Sequence, residues 1–196
     1  MNARETSTSA PDGTGENAEA GAGKRKRPIK GQRERGSALS RQTINDTFTL
    51  EIPDRYEVLT EEELRGMYRN AGDPFMWGVR DTENHTIITA IWKKYPMLLS
   101  WALDLKAIAK KNEALTGEAY AGHGYRFLEF FSVQAGEEEA EGYRFAYDSE
   151  GTGQVCNNYL IKDGRTIYAF ICVGREENAD ADRDAFRRIM ETLKYA

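Results

Sequence analysis

Two apolar runs near the end of the chain constrain its fold more than any other feature, because only the dipeptide Asp163-Gly164 separates them. The runs read GQVCNNYLIK at 153–162 and RTIYAFICV at 165–173, and both are rich in the branched and aromatic residues that favour strands. An Asp-Gly pair between such runs predicts a tight β-hairpin, since glycine can adopt a positive φ at little cost.

The register of this hairpin decides which side chains share a face. With Asp163 and Gly164 as the loop, Lys162 lies opposite Arg165, and paired residues point to the same side. Both faces are then apolar: one carries Leu160, Ile167, Ala169 and Ile171, and the other carries Val155, Tyr159, Ile161, Tyr168, Phe170 and Cys172. The pair therefore belongs at the centre of a sheet that is covered on both sides.

The same alternation separates the two cysteines of the chain. Cys156 and Cys172 fall on opposite faces of the predicted hairpin, so an intramolecular disulfide is not expected. Two cysteines are also too few for a zinc knuckle, and such sparse usage is typical of a reduced, intracellular protein.

Shorter patterns supply the remaining elements. Phe48, Leu50 and Ile52 alternate with polar residues as in a half-buried strand, and Thr60 with Glu63 has the spacing of a helix capping box. The predicted elements are a strand ending at Pro53, a helix after Thr60, strands at 75–81 and 85–94, a long helix from Pro96, strands at 125–134, 142–149, 153–162 and 165–173, and a terminal helix around Phe186.

The resulting order, β-α-β-β-α-β-β-β-β-α, indicates the α+β class. Successive strands joined by short turns favour an antiparallel β-sheet, and amphipathic helices on both faces make it an α/β/α sandwich.

Composition divides the chain near residue 46. Residues 1–46 have almost no large apolar side chains and are predicted to be a disordered basic and glycine-rich tail, followed by a single α+β domain at 47–196. Before and including Ser40 there are eight Lys and Arg against five Asp and Glu, and after it nineteen against twenty-seven, so the tail carries +3 and the body −8. A body this acidic is a poor general binder of phosphate backbones.

Nucleic acid is therefore expected only through the tail. Its basic side chains are candidate contacts for an anionic partner, and they are Lys24, Arg25, Lys26, Arg27, Lys30, Arg33 and Arg35. The same run is more typical of a solvated tether, and a short basic pattern of this kind also matches nuclear-localisation signals.

Motifs for catalysis or metal binding are not found in the sequence. His85 and His123 have no partner at metal-ligand spacing, and the serines lack a nucleophile elbow. The acidic run Glu137–Glu139 with Glu141 lacks the ligand pattern of an EF-hand and is interpreted as a solvated hairpin tip. No cofactor, metal or catalytic residue is therefore predicted, and the chain is expected not to be an enzyme.

Polar and aromatic residues in the central hairpin are the weak candidates for a ligand site. Asn157 and Asn158 are unusual in a strand, and with Tyr159 and Tyr168 they are expected to satisfy a buried network or to line a small cleft. Five further aromatic residues share strand parity and are expected in the core, with stacking on single-stranded nucleic acid as the alternative: Tyr125, Phe127, Phe131, Phe145 and Tyr147.

The beginning and end of the body resemble the fold shared by the Ran-binding Mog-type regulators, the PsbP proteins of photosystem II and related bacterial domains. An extended opening that ends in proline, then a closing hairpin and helix, is common to them. The residues that carry the resemblance are Phe48–Pro53 with Tyr56, Tyr168–Phe170, Asp184–Phe186 and Ile189–Leu193, within about 47–195. The resemblance implies a non-enzymatic module that binds or stabilises protein partners, and none of those families' functional residues can be carried over.

These observations lead to one leading expectation and one alternative. We expect a soluble, cytoplasmic binding or adaptor module without a membrane span, whose partner is an unknown protein. The alternative is a small-ligand-binding domain or unrecognised enzyme with a cleft near Asn157, Tyr159 and Tyr168.

Overall fold

Two antiparallel sheets and three α-helices make up the described part of the chain. The computed structural model describes residues 38–68, 75–97 and 103–196, so the predicted basic tail contacts from Lys24 to Arg35 lie outside the described residues. The elements are β1 (Leu39–Ile44), β2 (Phe48–Pro53), β3 (Glu57–Val58), α1 (Glu61–Met67), β4 (Phe75–Asp81), β5 (Thr86–Lys94), α2 (Leu105–Ala119), β6 (Arg126–Ala135), β7 (Glu138–Ser149), β8 (Thr152–Asp163), β9 (Thr166–Arg175), α3 (Ala179–Met190) and β10 (Lys194–Tyr195).

The larger sheet has seven strands in the order β3-β4-β5-β9-β8-β7-β6, and the smaller has the order β1-β2-β10. Within the described ranges the strand pairs are all antiparallel, and β8 and β9 lie at the interior of the larger sheet as predicted. The fold is therefore α+β with helices on both sides of the main sheet, which confirms the predicted class.

Each face of the main sheet has its own apolar core. On one side, Tyr159, Phe170 and Cys172 pack with Phe186 of α3 and with Phe48 of the small sheet. On the other side, Tyr143, Phe145, Cys156 and Leu160 pack with Ala109 of α2. The division of the β8–β9 side chains between these cores follows the predicted alternation, and the two free thiols lie on opposite faces.

The β8–β9 turn differs from the prediction in register. Asp163 pairs with Thr166, so the loop is Gly164-Arg165, and Lys162 lies opposite Ile167. Gly164 has φ +53° whereas Arg165 is not among the positive-φ residues, which fits a turn with glycine at the first loop position rather than an Asp-Gly turn. Each strand residue still faces its predicted side, because the pairing changes by two residues and the side-chain period is two.

The folded part begins earlier than predicted. Strand β1 lies inside the range 1–46 that was expected to be disordered, and it pairs with β2 along its whole length, from Leu39 opposite Pro53 to Ile44 opposite Phe48. Ile44 is completely buried while most other β1 side chains are exposed. An edge strand with a single buried residue has a polar composition that resembles that of a disordered tail. This similarity explains why the predicted start of the domain, residue 47, was too late.

Two further predictions require correction. The helix predicted from Pro96 is not continuous through Ile108: Met97 is helical and residues 98–102 lie outside the described ranges, but Asp104 is extended. The Asp104 side chain caps a helix that begins at Leu105 by accepting from the Lys106 N–H at 3.0 Å. The acidic run is not a solvated tip throughout, since β7 already starts at Glu138 and Glu141 is buried. The predicted capping box at Thr60 is confirmed.

Candidate functional site

The four predicted ligand-site residues do not form one site. Asn157 and Tyr159 point to the α3 side of β8 and line a common cleft. Asn158 points to the α2 side, where its amide donates to the Cys156 sulfur at 3.2 Å. Tyr168 is 1% exposed and lies in the core beneath the small sheet.

Tyr168 holds the β1–β2 turn against the main sheet. Its hydroxyl accepts a hydrogen bond from the Asn45 side-chain amide at 2.8 Å and donates one to the Thr47 hydroxyl at 3.0 Å. Asn45 and Asp46 both have positive φ, as the central residues of a primed turn require, and the Thr47 N–H closes this turn on the Ile44 carbonyl at 3.1 Å. Tyr168 therefore has a structural role in this arrangement.

The cleft lies between helix α3 and strands β6, β7 and β8 and has a volume of about 200 Å³. It combines an apolar wall with ionised side chains, and its lining consists of Glu129, Phe131, Val133, Arg144, Asn157, Tyr159, Arg183, Asp184 and Arg187. We call it the Arg144 cleft. Its polar and apolar parts give it the composition of a small ligand site.

Arg144 is the unusual residue of this cleft. It is only 9% exposed, and its Nε has no hydrogen-bond partner in the described part of the chain. Its terminal nitrogens are 3.6 Å from a Glu129 oxygen and 3.9 Å from an Asp180 oxygen, both longer than a hydrogen bond. Within the described residues this buried guanidinium has two carboxylate neighbours but no hydrogen bond, so its donors can bind an added acceptor.

The other arginines of the cleft have carboxylate neighbours at distances similar to those of Arg144. Arg183 lies 3.5 Å from Asp180, and Arg187 lies 3.6 Å from Asp184. Burial raises the pKa of Tyr159, although Arg187 and Arg183 act in the opposite direction. The phenol is therefore neutral and able to donate at neutral pH.

A β-bulge in strand β6 determines which of its side chains point to each face of the sheet. Phe127 pairs with Phe145, but the next pair is Glu129 with Arg144, so Leu128 is the extra residue. Beyond the bulge, Phe131 and Val133 face the cleft, together with Glu129. The bulge thus sets the apolar wall beside Arg144.

The same bulge puts Phe127 and Phe130 together on the α2 side. Their ring centroids are 4.7 Å apart and each residue is 42% exposed, with Leu128 at 39%. The prediction that Phe127 belongs to the core and shares a face with Phe131 is therefore wrong, because simple strand parity does not continue through a bulge. We call Phe127, Leu128 and Phe130 the β6 aromatic edge.

Residues suited to nucleophilic or metal chemistry do not converge in the described residues. Among the residues that the structure describes, no group of three or more His, Cys, Asp or Glu is placed to hold a metal ion. Burial raises the pKa of the Cys156 thiol to about 12, and the pKa of Cys172 is also raised by burial. Both thiols are therefore protonated at neutral pH.

Sequence reasoning missed Arg144 and the β6 aromatic edge. The available signal for Arg144 is a charged residue within the otherwise apolar segment Tyr143–Tyr147 of β7. The position of Arg144 beside an apolar wall depends on the bulge in the neighbouring strand β6, and no residue spacing in the sequence predicts that bulge.

Comparison with known proteins identifies the fold but no family. No protein-family model and no curated protein matches the chain. The solution structure of cyanobacterial PsbP (CyanoP) from Synechocystis sp. PCC 6803 matches 86% of this chain and 99% of its own, with a TM-score of 0.58 and 11% identity. The crystal structure of LpqN, involved in cell envelope biogenesis of Mycobacterium tuberculosis, matches 83% of this chain and 87% of its own, with a TM-score of 0.52 and 14% identity.

These similarities establish a PsbP-like fold, and the resemblance to Ran-binding Mog-type regulators stays a prediction. Within the described ranges, no helix is both long enough and apolar enough to cross a membrane.

Proposed function

We propose that this protein is a non-catalytic binding module that captures an extended segment of a protein partner on the outer edge of strand β6. The observation that carries the proposal is the β6 aromatic edge at the end of the seven-stranded sheet. Phe127, Leu128 and Phe130 expose apolar surface beside the backbone of a terminal strand. An extended peptide satisfies both features at once, because it adds main-chain hydrogen bonds and packs alternate side chains.

The contrast between the two sheet edges supports this choice. The opposite edge is β3, a strand of only two residues, whereas β6 has ten. Proteins commonly protect an open sheet edge by making the terminal strand very short. The β6 edge lacks that protection, which favours a role in pairing.

Local charge suggests the composition of the partner segment. Lys106 and Lys110 line a hollow of about 270 Å³ together with Phe130. Lys106 lies 3.5 Å from Glu141, and Lys110 belongs to the same wall. We therefore propose a segment with apolar side chains for the two phenylalanines and an acidic side chain for Lys110.

The test compares the full-length protein with a Phe127→Ala, Phe130→Ala double variant. Leu115→Ala is the matched control, since Leu115 is also an exposed apolar residue but belongs to α2 and not to strand β6. Proteins captured from source lysate by each bait are quantified, and a candidate partner is then purified and titrated by calorimetry. The expected result is binding that the double variant loses and the control retains.

Equal binding by all three baits would refute the edge as the docking site. Catalytic turnover of a partner or metabolite by the purified protein would refute the non-catalytic part of the proposal.

The second function we propose is small-ligand binding in the Arg144 cleft, which refines the predicted cleft near Asn157 and Tyr159. The specific support is the buried Arg144 guanidinium without a hydrogen bond in the described chain. A melting temperature that rises with ligand concentration would reveal this function.

Two further parts of the proposal concern location and the basic run. We place the protein in the cytoplasm, which the free thiols of Cys156 and Cys172 favour. We also propose that any nucleic-acid affinity comes from Lys24–Arg35 rather than from the acidic body. Cell fractionation and salt-dependent binding test these parts separately.

A further inference from the structure

We propose that the Arg144 cleft binds the carboxylate of a small, partly apolar monocarboxylic acid. The inference names the ligand class for the second function proposed above and therefore rests on it. Arg144 is the primary contact, the Tyr159 hydroxyl and the Asn157 amide are additional donors, and Phe131 with Val133 receives the apolar body.

The first argument is the cost of leaving Arg144 as it is. A buried charge is unfavourable unless close hydrogen bonds replace its lost hydration. Glu129 and Asp180 stay beyond hydrogen-bond distance from Arg144. Their side chains are 48% and 86% exposed, so they can remain hydrated while a ligand takes the guanidinium.

The second argument selects a carboxylate over a phosphate. A guanidinium presents parallel N–H groups that match the two coplanar oxygens of a carboxylate. The lining contains three arginines and two acids, which is a net charge of only +1, and each of these arginines has a carboxylate oxygen 3.5 or 3.6 Å away. The carboxylates of Glu129 and Asp180 beside Arg144 would repel a second negative charge, so the cleft favours one negative charge over the near-double charge of a phosphate.

The third argument concerns the rest of the ligand. Phe131 and Tyr159 meet edge to face with ring centroids 5.1 Å apart, and Val133 extends the same wall. An apolar body against this wall would be removed from water, which is favourable. The cleft volume of about 200 Å³ lies below the roughly 300–1,000 Å³ of drug-sized sites, so the acid should be small.

The fourth argument is that the donors come from rigid elements. Arg144 extends from β7, while Asn157 and Tyr159 extend from the adjacent β8, and Arg144 lies directly opposite Asn157 in the strand pairing. Tyr159 also packs against Phe186 of α3 with ring centroids 4.8 Å apart. Side chains held by a central strand pair need little rearrangement to bind, which favours affinity for a small ligand.

The experiment titrates full-length protein by calorimetry with four acids: benzoate, phenylacetate, cyclohexanecarboxylate and hexanoate. Benzamide serves as the neutral isostere of benzoate, and inorganic phosphate serves as the competing anion. The variant is Arg144→Met. The matched control is Arg188→Met, because Arg188 is exposed on the same helix as two cleft arginines but does not line the cleft.

We expect at least one acid to bind saturably to the wild type and to Arg188→Met, while benzamide and phosphate do not bind. Arg144→Met should weaken that binding by roughly ten- to a hundredfold, the loss expected for hydrogen bonds to a charged group. Since Arg144 makes no hydrogen bond in the described chain, this variant should still fold.

A second variant keeps the inference testable if Arg144→Met fails to fold. Arg144→Lys retains the charge but lacks the planar fork, so it should weaken acid binding by about tenfold or more. In the wild type, the amide NMR signals of Asn157 and Tyr159 should shift on saturation with the acid.

Other outcomes overturn the inference in distinguishable ways. Equal acid binding by Arg144→Met, or by Arg144→Lys where the methionine variant does not fold, would exclude Arg144 as the contact. Phosphate or benzamide binding as tightly as the acids, with shifts at Asn157 and Tyr159, would refute the carboxylate class but leave ligand binding intact. If no compound binds at millimolar concentration, both the inference and the ligand-binding function fail.

Discussion

Replacing Tyr168 by Phe tests whether this residue is a structural tether rather than part of a ligand site. The change keeps the ring, which packs edge to face on Phe48 with centroids 5.0 Å apart, and removes only the hydroxyl. It therefore deletes the hydrogen bonds to Asn45 and Thr47 without creating a large cavity.

The magnitude follows from the two bonds and their surroundings. An intramolecular hydrogen bond contributes about 0.5–1.5 kcal/mol net, so two together contribute about 1–3 kcal/mol. Asn45 is exposed and Thr47 is half-buried, so water can replace the lost partner for both groups. We therefore expect Tyr168→Phe to lower the free energy of unfolding by about 1–2 kcal/mol, in the lower part of that range.

The assay is urea unfolding at neutral pH, followed by fluorescence and circular dichroism. With a denaturant slope of about 2 kcal/mol/M, the midpoint should fall by roughly 0.5–1 M while the slope stays unchanged. Tyr159→Phe is the control, because the Tyr159 hydroxyl has no hydrogen bond in the described chain, and its midpoint should change less. The two variants should have the opposite ranking in carboxylate binding: Tyr159→Phe should weaken binding, and Tyr168→Phe should leave it unchanged.

A Tyr168→Phe midpoint equal to that of the wild type would refute the tether. An Asn45→Ala, Tyr168→Phe double-mutant cycle gives a sharper check, since the two changes should be less than additive if the bond between these residues contributes.

Four other predictions concern single features. Burial raises the pKa of Asp182, so the contribution of its protonated form to stability is complete below about pH 4 and is lost as pH rises through the folded-state pKa. Asp182→Asn should therefore lose less stability over this pH range than the wild type does. Urea unfolding at a series of pH values measures this difference, and an equal loss of stability in the two proteins would contradict the prediction. Gly142→Ala should cost about 1–3 kcal/mol in urea unfolding, because a Cβ there overlaps a carbonyl oxygen of the next strand, whereas Gly66→Ala, with nothing within 4 Å, should cost nothing. Thr60→Ala should cost about 1 kcal/mol by removing the helix cap, and a serine at this position should restore most of it. Deleting Lys24–Arg35 should abolish any DNA or RNA affinity that falls steeply with salt in a filter-binding assay, and affinity that survives the deletion would locate the contact in the body.

The central hairpin was predictable because its pattern is local. Alternation along β8 and β9 assigns Tyr159 and Leu160 to opposite cores whether the loop is Asp163-Gly164 or Gly164-Arg165. The side-chain period of two makes the face assignment insensitive to this error in register. The two residues that form the loop depend on the position in the turn at which glycine has its positive φ. The dipeptide Asp163-Gly164 alone does not determine that position.

The cleft was only half predictable for a different reason. Asn157 was noticed because asparagine is uncommon in strands, and it does line the cleft. Arg144 acquires its role through strand pairing and the bulge at Leu128, which depend on contacts between separate parts of the chain. Tyr168 points to the same face of the sheet as Tyr159, as the alternation of side chains predicts. Alternation does not say how far apart two residues lie along the strands, and it is Tyr168 that packs beneath the small sheet and bonds to Asn45.

The position of β2 has a mechanical consequence. β2 pairs with β1 on one side and with β10 on the other, so Leu39 lies at its Pro53 end while Tyr195 lies at its Phe48 end. Tension applied between residues 38 and 196 would pull these outer strands in opposite directions along the axis of β2. The inter-strand hydrogen bonds lie across that axis, so they would be loaded together in shear instead of being opened one after another. The small sheet would therefore act as a clamp that resists stretching of the domain from its ends.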